Sequence, residues 1–268
     1  MAISQAAPAA PSLAQRRLPV RRIAPADLNF ALKAGWRDFM SMRGDLLFAG
    51  LIYPLVGLLA AAIALGGPLI PLFFPIAAGI ALLGPLTAIG FYELARRREQ
   101  GLDSGWSHFL DMRKRRAFAD VLGVGAILIG LFALWLVVAG SLFVALWGPN
   151  TPPSIGAFLT RLFTTKEGWE LIVIGNAVGA LFAVAVLALS VVSLPMLVDR
   201  DGRAGMALRT SVAAFGANFA MMVRWGLIVT ALLILGSIPA FVGLAVVLPW
   251  LGYATWHLYT RLVDRDRI

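Results

Sequence analysis

The chain has 268 residues, 60% of them hydrophobic and only 14% charged, with a mean hydropathy of +0.83. Soluble domains carry about a quarter charged residues, so an ordinary water-soluble domain is excluded and the solvent being matched is lipid. No cysteine is present, which excludes disulfides, thiolate zinc sites, iron–sulfur clusters and thiol catalysis. The net charge of +9 has to be interpreted from where the basic residues fall.

Residues 1–24, rich in Ala, Pro, Ser and Gln, read as a disordered cytoplasmic tail. Residues 1–20 have no apolar core of signal-peptide length, so no cleaved signal is expected. A single membrane domain is expected over residues 25–265. From Asp27, an N-cap candidate, Leu28, Leu32, Trp36 and Phe39 recur at helical spacing. That pattern predicts an amphipathic helix on the membrane surface, with Trp36 and Phe39 as interface anchors. No charge follows between Leu46 and Tyr92. A span needs about 20 apolar residues, so two fit there, about 46–65 and 69–92, turned by Gly66-Gly67-Pro68 and closed by Glu93 and Arg96-Arg97-Arg98.

The stretch Gly35-Trp36-Arg37-Asp38-Phe39-Met40-Ser41-Met42-Arg43 returns as Gly105-Trp106-Ser107-His108-Phe109-Leu110-Asp111-Met112-Arg113. Gly, Trp, Phe, Met and Arg keep their register. The repeat predicts a second surface helix, anchored by Trp106 and Phe109, before a third span at about 121–147. Gly123, Gly125 and Gly130 open that span with profiles that let helices approach closely. A Gly- and Pro-rich breaker covers 148–154, and an external loop with a short interfacial helix is expected over 155–170. The fourth span is about 171–198.

A weaker echo, Phe219-Ala220-Met221-Met222 near Arg224, follows Leu208, Val212 and Phe215, which share its helical spacing. The last apolar block folds back near Gly236-Ser237-Ile238-Pro239 into spans at about 221–236 and 238–260, with Trp256 as the closing interface anchor. The expected fold is all-α: a polytopic membrane protein with six transmembrane helices arranged as three surface-helix-plus-hairpin units.

Charge placement favours six spans over five with a re-entrant tail. With six, every one of the 23 basic residues except Arg161 and Lys166 falls on one side. The positive-inside rule makes that side cytoplasmic and puts both termini there. The basic residues are juxtamembrane and interleaved with acidic ones, which predicts contact with anionic lipids and not with nucleic acid.

Ionisable residues at mid-depth mark coupled carriers, and the predicted spans have none. Asp45, Glu93, Asp120 and Asp199 fall at cytoplasmic span ends, where they read as interface anchors. His108 and His257 are the only histidines and could together ligate a haem. An aromatic-belt role beside Trp and Tyr is preferred, and no cofactor or metal is expected. Asn176, Ser190, Ser193 and Thr230 are polar residues within spans, suited to hydrogen bonds between helices or to backbone. Phosphate-loop, dinucleotide and metalloprotease patterns are absent, and no His lies near Ser190 or Ser193 in sequence to act as a base, so no enzyme is expected.

Three motifs together resemble a domain-of-unknown-function family of predicted integral membrane proteins. They are Asp27-Leu28 through Gly35-Trp36-x-Asp38-Phe39, Val191-Val192-Ser193-Leu194-Pro195-Met196-Leu197-Val198-Asp199-Arg200-Asp201, and Leu248-Pro249-x-Leu251-Gly252-x-Ala254-Thr255-Trp256-His257-x-Tyr259. The family is common in proteobacteria, and some members are labelled as resembling cytochrome c oxidase subunit I. Its closing motif often carries His where this chain has Tyr253. The resemblance covers roughly residues 25–265 and implies a membrane fold without an activity. The function expected is non-enzymatic: an accessory, scaffold or assembly protein of a larger membrane complex, respiratory or photosynthetic. The alternative is a transporter or channel for a small or lipid-like substrate.

Overall fold

The computed structural model describes residues 18–42, 71, 75–76, 83–150, 152–239 and 241–265. The first predicted span, Asp45 and most of the second span before residue 83 lie outside the described residues, as do residues 1–17. Secondary structure among the described residues is helical. The helices are α1 (Pro25–Ser41), α2 (Gly84–Thr87), α3 (Ile89–Glu99), α4 (Phe118–Trp147), α5 (Ile155–Thr164), α6 (Lys166–Ser190), α7 (Ser193–Asp199), α8 (Ala204–Ala217), α9 (Phe219–Ser237) and α10 (Leu244–Leu262).

Among the described residues three stretches are long and apolar enough to cross a bilayer: α4, the run Lys166–Asp199 that joins α6 and α7, and α9. At 1.5 Å per residue the 30 residues of α4 reach about 45 Å, beyond a hydrocarbon core of about 30 Å, while the 19 residues of α9 reach about 28 Å. Leu134, Val137, Leu181, Leu227 and Leu235 on these helices are exposed, as lipid-facing side chains must be. The predicted sixth span corresponds to α10, which starts at Leu244 and is not among the three apolar stretches.

Between α6 and α7 the helix breaks at Val191–Val192, where one continuous span over 171–198 is predicted. Pro195 explains the break, since it lacks the N–H that would bond the carbonyl four residues back and its ring crowds that carbonyl. Ser211 on α8 repairs the backbone: its hydroxyl accepts from the Val192 N–H (3.2 Å) and donates to the Ala188 carbonyl (2.7 Å). Ser211→Ala strands a buried donor, which costs about 1–3 kcal/mol; a correspondingly lower thermal midpoint in detergent is the expected reading.

The sequence repeat is not a structural repeat. Gly35 to Ser41 of its first copy form the last turns of α1. The second forms two 3-10 turns, Trp106–His108 and Asp111–Lys114, instead of a surface α-helix. Turn-forming residues decide this: the Asp103 carboxylate accepts from the Gly105 N–H (3.0 Å), and i→i+3 bonds then close on Gly105 and Trp106. The third echo opens α9 itself, after a break at the buried Asn218. Asp27, expected as an N-cap, lies in the first turn of α1, and its carboxylate accepts the Ala24 N–H (2.9 Å).

The largest wholly buried side chains, Trp225, Trp256, Tyr92, Tyr253, Tyr259 and Phe91, gather in a base at one end of the apolar helices. Helix α1 crosses α10 at Gly35, where an added Cβ would lie 2.5 Å from the Ala254 nitrogen. Gly123 and Gly130, expected to admit a neighbouring helix, have nothing within 4 Å of such a Cβ. Residues 18–24, expected in a disordered tail, are folded into the base. Val20 bridges Val263, the Leu18 N–H donates to Thr210 (3.1 Å), and Asn218 binds both Ile23 N–H (2.8 Å) and the Arg21 carbonyl (3.0 Å).

On the opposite end, α5 occupies the loop where a short interfacial helix is expected. Ser154 caps it by accepting the Ala157 N–H (3.1 Å). Phe158 and Leu162 are buried with Phe143 and Trp147, the Arg161 guanidinium lies 4.4 Å over the Trp147 ring, and Phe163 stays exposed.

Candidate functional site

The chemistry-bearing side chains converge on the base. Glu93 on α3 is only 1% exposed, yet it carries a carboxylate. Its position one helical turn before Arg96 and Arg97 brings those guanidiniums to 2.6 and 4.0 Å, and Arg115, from beyond the second 3-10 turn, comes to 3.8 Å. A buried carboxylate is tolerable only when so paired. Glu93 therefore acts as an internal counter-ion, where the sequence reading makes it a solvated interface anchor. Arg115 extends the network to α7, donating to the Val198 carbonyl and pairing with Asp201 (3.6 Å).

Asp199, at the end of α7, accepts from the Tyr259 hydroxyl (2.8 Å) and pairs with Arg200 (3.3 Å) and Arg265 (3.6 Å). Arg265 also pairs with Glu99, which accepts the Trp256 indole N–H at 3.1 Å. Burial opposes ionisation of Glu99, but the hydrogen bonds from Arg265 and Trp256 outweigh it and hold the carboxyl below its usual range. On α1, Asp38 accepts from His257 (2.7 Å) and pairs with Arg98 (3.2 Å), while Asp27 pairs with Arg261 (3.6 Å). Asp120 caps α8 by accepting the Ala204 N–H at 2.8 Å. These bonds join α1, α3, α7 and α10 to the segments after them, so the network fixes how the two ends of the chain meet.

Two expected interface anchors lie elsewhere than predicted. Trp256 is wholly buried against protein, not at a lipid surface, and Phe39 is buried too. Trp36 is half-exposed, with its ring 5.0 Å from that of Trp250. Trp106 stacks on Phe109 at 4.2 Å, and Phe109 meets Phe91 at 5.0 Å over the bare face of Gly90. Asn176 and Thr230 are exposed and bond back to their own helices, at Ile172 (2.7 Å) and Gly226 (2.9 Å), while the buried Ser193 at the start of α7 donates back to the Leu189 carbonyl of α6. Ser190 is buried at the end of α6. The polar residues that do join distant parts of the chain are Ser211, which ties α8 to α6, and Thr210 and Asn218, which hold the segment before α1; sequence reasoning passed over all three. The signal for Thr210 and Ser211 was a face of α8 made of small and polar groups, completed by Ala207 and Ala214, all buried, while the apolar Val212 of the same helix is exposed.

The two histidines do not share a site. His257 meets Asp38 on α1. His108 sits between Asp111 (Nδ1, 2.6 Å) and Asp103 (Nε2, 3.0 Å), so carboxylates occupy both ring nitrogens. Asp111 first, then Asp103, raise the His108 pKa above 6.5, and Lys114 with His108 holds Asp111 down to about 2. A raised pKa in the folded state means that the stabilisation is complete below 6.5 and is lost as pH climbs through the folded value. An NMR titration of the His108 ring should give a midpoint above 6.5, and Asp111→Asn should bring it down.

Neither the comparison with curated proteins nor that with solved structures returned a match. Residues 73–199 do match a family model. That stretch contains α4, both halves of the broken α6–α7 helix and the Val191–Asp199 part of the second motif, and excludes the first and third motifs, so the match is narrower than residues 25–265. With its apolar helices the chain is an integral membrane protein, and its central stretch, residues 73–199, is similar to the family described as "Predicted integral membrane protein (DUF2189)".

Proposed function

We propose that the protein is a non-enzymatic accessory or assembly factor of a larger complex in a bacterial inner membrane. In this reading the chain crosses six times with both termini cytoplasmic, and its basic base faces anionic lipid. The observation that carries it is the outward placement of Asn176 and Thr230 on the apolar helices. A transporter needs Asn176, Ser190 or Thr230 to line a cavity at mid-depth. Asn176 and Thr230 instead lie on the exposed surfaces of α6 and α9, each hydrogen-bonded to its own helix. The open backbone at Gly123 and Gly130 leaves α4 a face that another helix could approach closely.

Purification in mild detergent followed by mass spectrometry tests this. A companion membrane protein retained in fixed ratio is expected, and its retention should fall when Gly123 and Gly130 are both replaced by Leu. Isolation of the protein alone, together with solute flux in reconstituted vesicles, would overturn the reading in favour of a carrier. A reporter after residue 265 should read cytoplasmic and one at Pro152 periplasmic; the reverse would overturn the sidedness.

A further inference from the structure

We infer that the groove between α1 and α10 is a binding site for one anionic phospholipid. The groove, about 710 Å³, is lined by Phe30, Leu32, Lys33, Trp36, Arg37 and Trp250. Its two walls are held together from within, because the Trp250 indole N–H donates to the Leu32 carbonyl at 2.9 Å. With that donor spent, Trp250 offers the groove only its apolar ring, packed edge-on against Trp36.

Charge selects the occupant. Lys33 and Arg37 lie four residues apart on one face of α1, both exposed, and neither pairs with a carboxylate among the described residues. The acids of the same helix are already taken: Asp27 by Arg261, and Asp38 by Arg98 and His257. Among the described residues α1 thus keeps two unpaired cations beside an aromatic trough. A free phosphate would use the cations and leave the trough open, and a zwitterionic lipid would bring its own cation to face them. A phospholipid of net negative charge uses both parts: its phosphate accepts from Lys33 and the Arg37 fork, and its chain lies along Leu32 and Trp250.

The inference rests on the membrane reading but not on which side α1 faces, so it is tested in micelles, where sidedness has no meaning. The full chain in non-ionic detergent is offered an equimolar mixture of dioleoylphosphatidylglycerol and dioleoylphosphatidylcholine, and retained lipid is counted by native mass spectrometry. One phosphatidylglycerol per chain is expected. Lys33→Gln with Arg37→Gln should weaken its retention about thirtyfold, the worth of two juxtamembrane cations. Arg113→Gln with Arg116→Gln, an equal charge loss at exposed positions away from the groove, should leave retention unchanged. Trp36→Ala should weaken both lipids alike. Equal retention of the two lipids by the wild-type chain would overturn the proposal. So would an equal loss in both double variants, or displacement of the lipid by inorganic phosphate at matching concentration.

Discussion

Gly35→Val unseats α1 from α10 and is expected to be strongly destabilising. The nearest atoms to a new side chain are the backbone nitrogen and Cα of Ala254, at 2.5 and 2.7 Å, so no flexible side chain can move aside. Overpacking a core typically costs about 1–3 kcal/mol, and a backbone-to-backbone clash belongs at or above the top of that range. Separation of the helices would also break the bonds of Trp250 to Leu32 and His257 to Asp38. Thermal unfolding in detergent and trypsin cleavage after Lys33 and Arg37 both report the loss. Gly130→Ala provides the contrast, since it meets nothing and should gain about 0.5–1 kcal/mol of helix propensity. Equal behaviour of the two variants would refute the crossing.

Glu93→Gln is the second large effect. The substitution keeps the shape but removes the charge that three guanidiniums face, and stranding one side of a buried pair costs about 3–5 kcal/mol. The guanidiniums retain some exposure, which places the expected loss at the lower end. Glu170→Gln breaks an exposed pair with Lys166 (3.4 Å) and should cost no more than about 0.5 kcal/mol. High salt should not rescue Glu93→Gln, because the carboxylate is shielded from the ions that screen surface charges.

The apolar helices were legible in the sequence because lipid imposes one rule on every exposed position. The predicted spans at 121–147, 171–198 and 221–236 correspond to α4, α6 with α7, and α9. What surrounds them follows soluble-protein rules, and there the pattern misled. Leu208, Val212, Phe215 and Phe219 read as one helical stripe, but α8 ends before Asn218, Phe219 opens α9, and the buried face of α8 also takes in Ala207, Thr210, Ser211 and Ala214. The repeat misled in the same way: Gly35 and Gly105 share a motif, but Gly35 lets two backbones touch while Gly105 sits in a turn over Asp103. Residue identity carries no partner, and the partners here come from far along the chain. Glu93 shows the same gap, since nothing local reveals that Arg115 closes over it.

The joining of α1 to α10 has a consequence for how the protein is made. Leu32 and Trp250 are 218 residues apart, and Arg21 reaches Asp264 across 243. During synthesis α1 emerges long before its partner exists, so its small-residue face, Ala31, Ala34 and Gly35, must wait uncovered while the intervening helices enter the bilayer. Contacts so distant in sequence form late and slowly. The closing of the base is therefore a checkpoint on the whole chain: α1 finds its seat only after everything between has been inserted, and a chain with a missed crossing would deliver α10 to the wrong side of the membrane. Such a chain would be left with an open base and exposed strands of unpaired arginines, a form that quality-control proteases could tell from the finished protein.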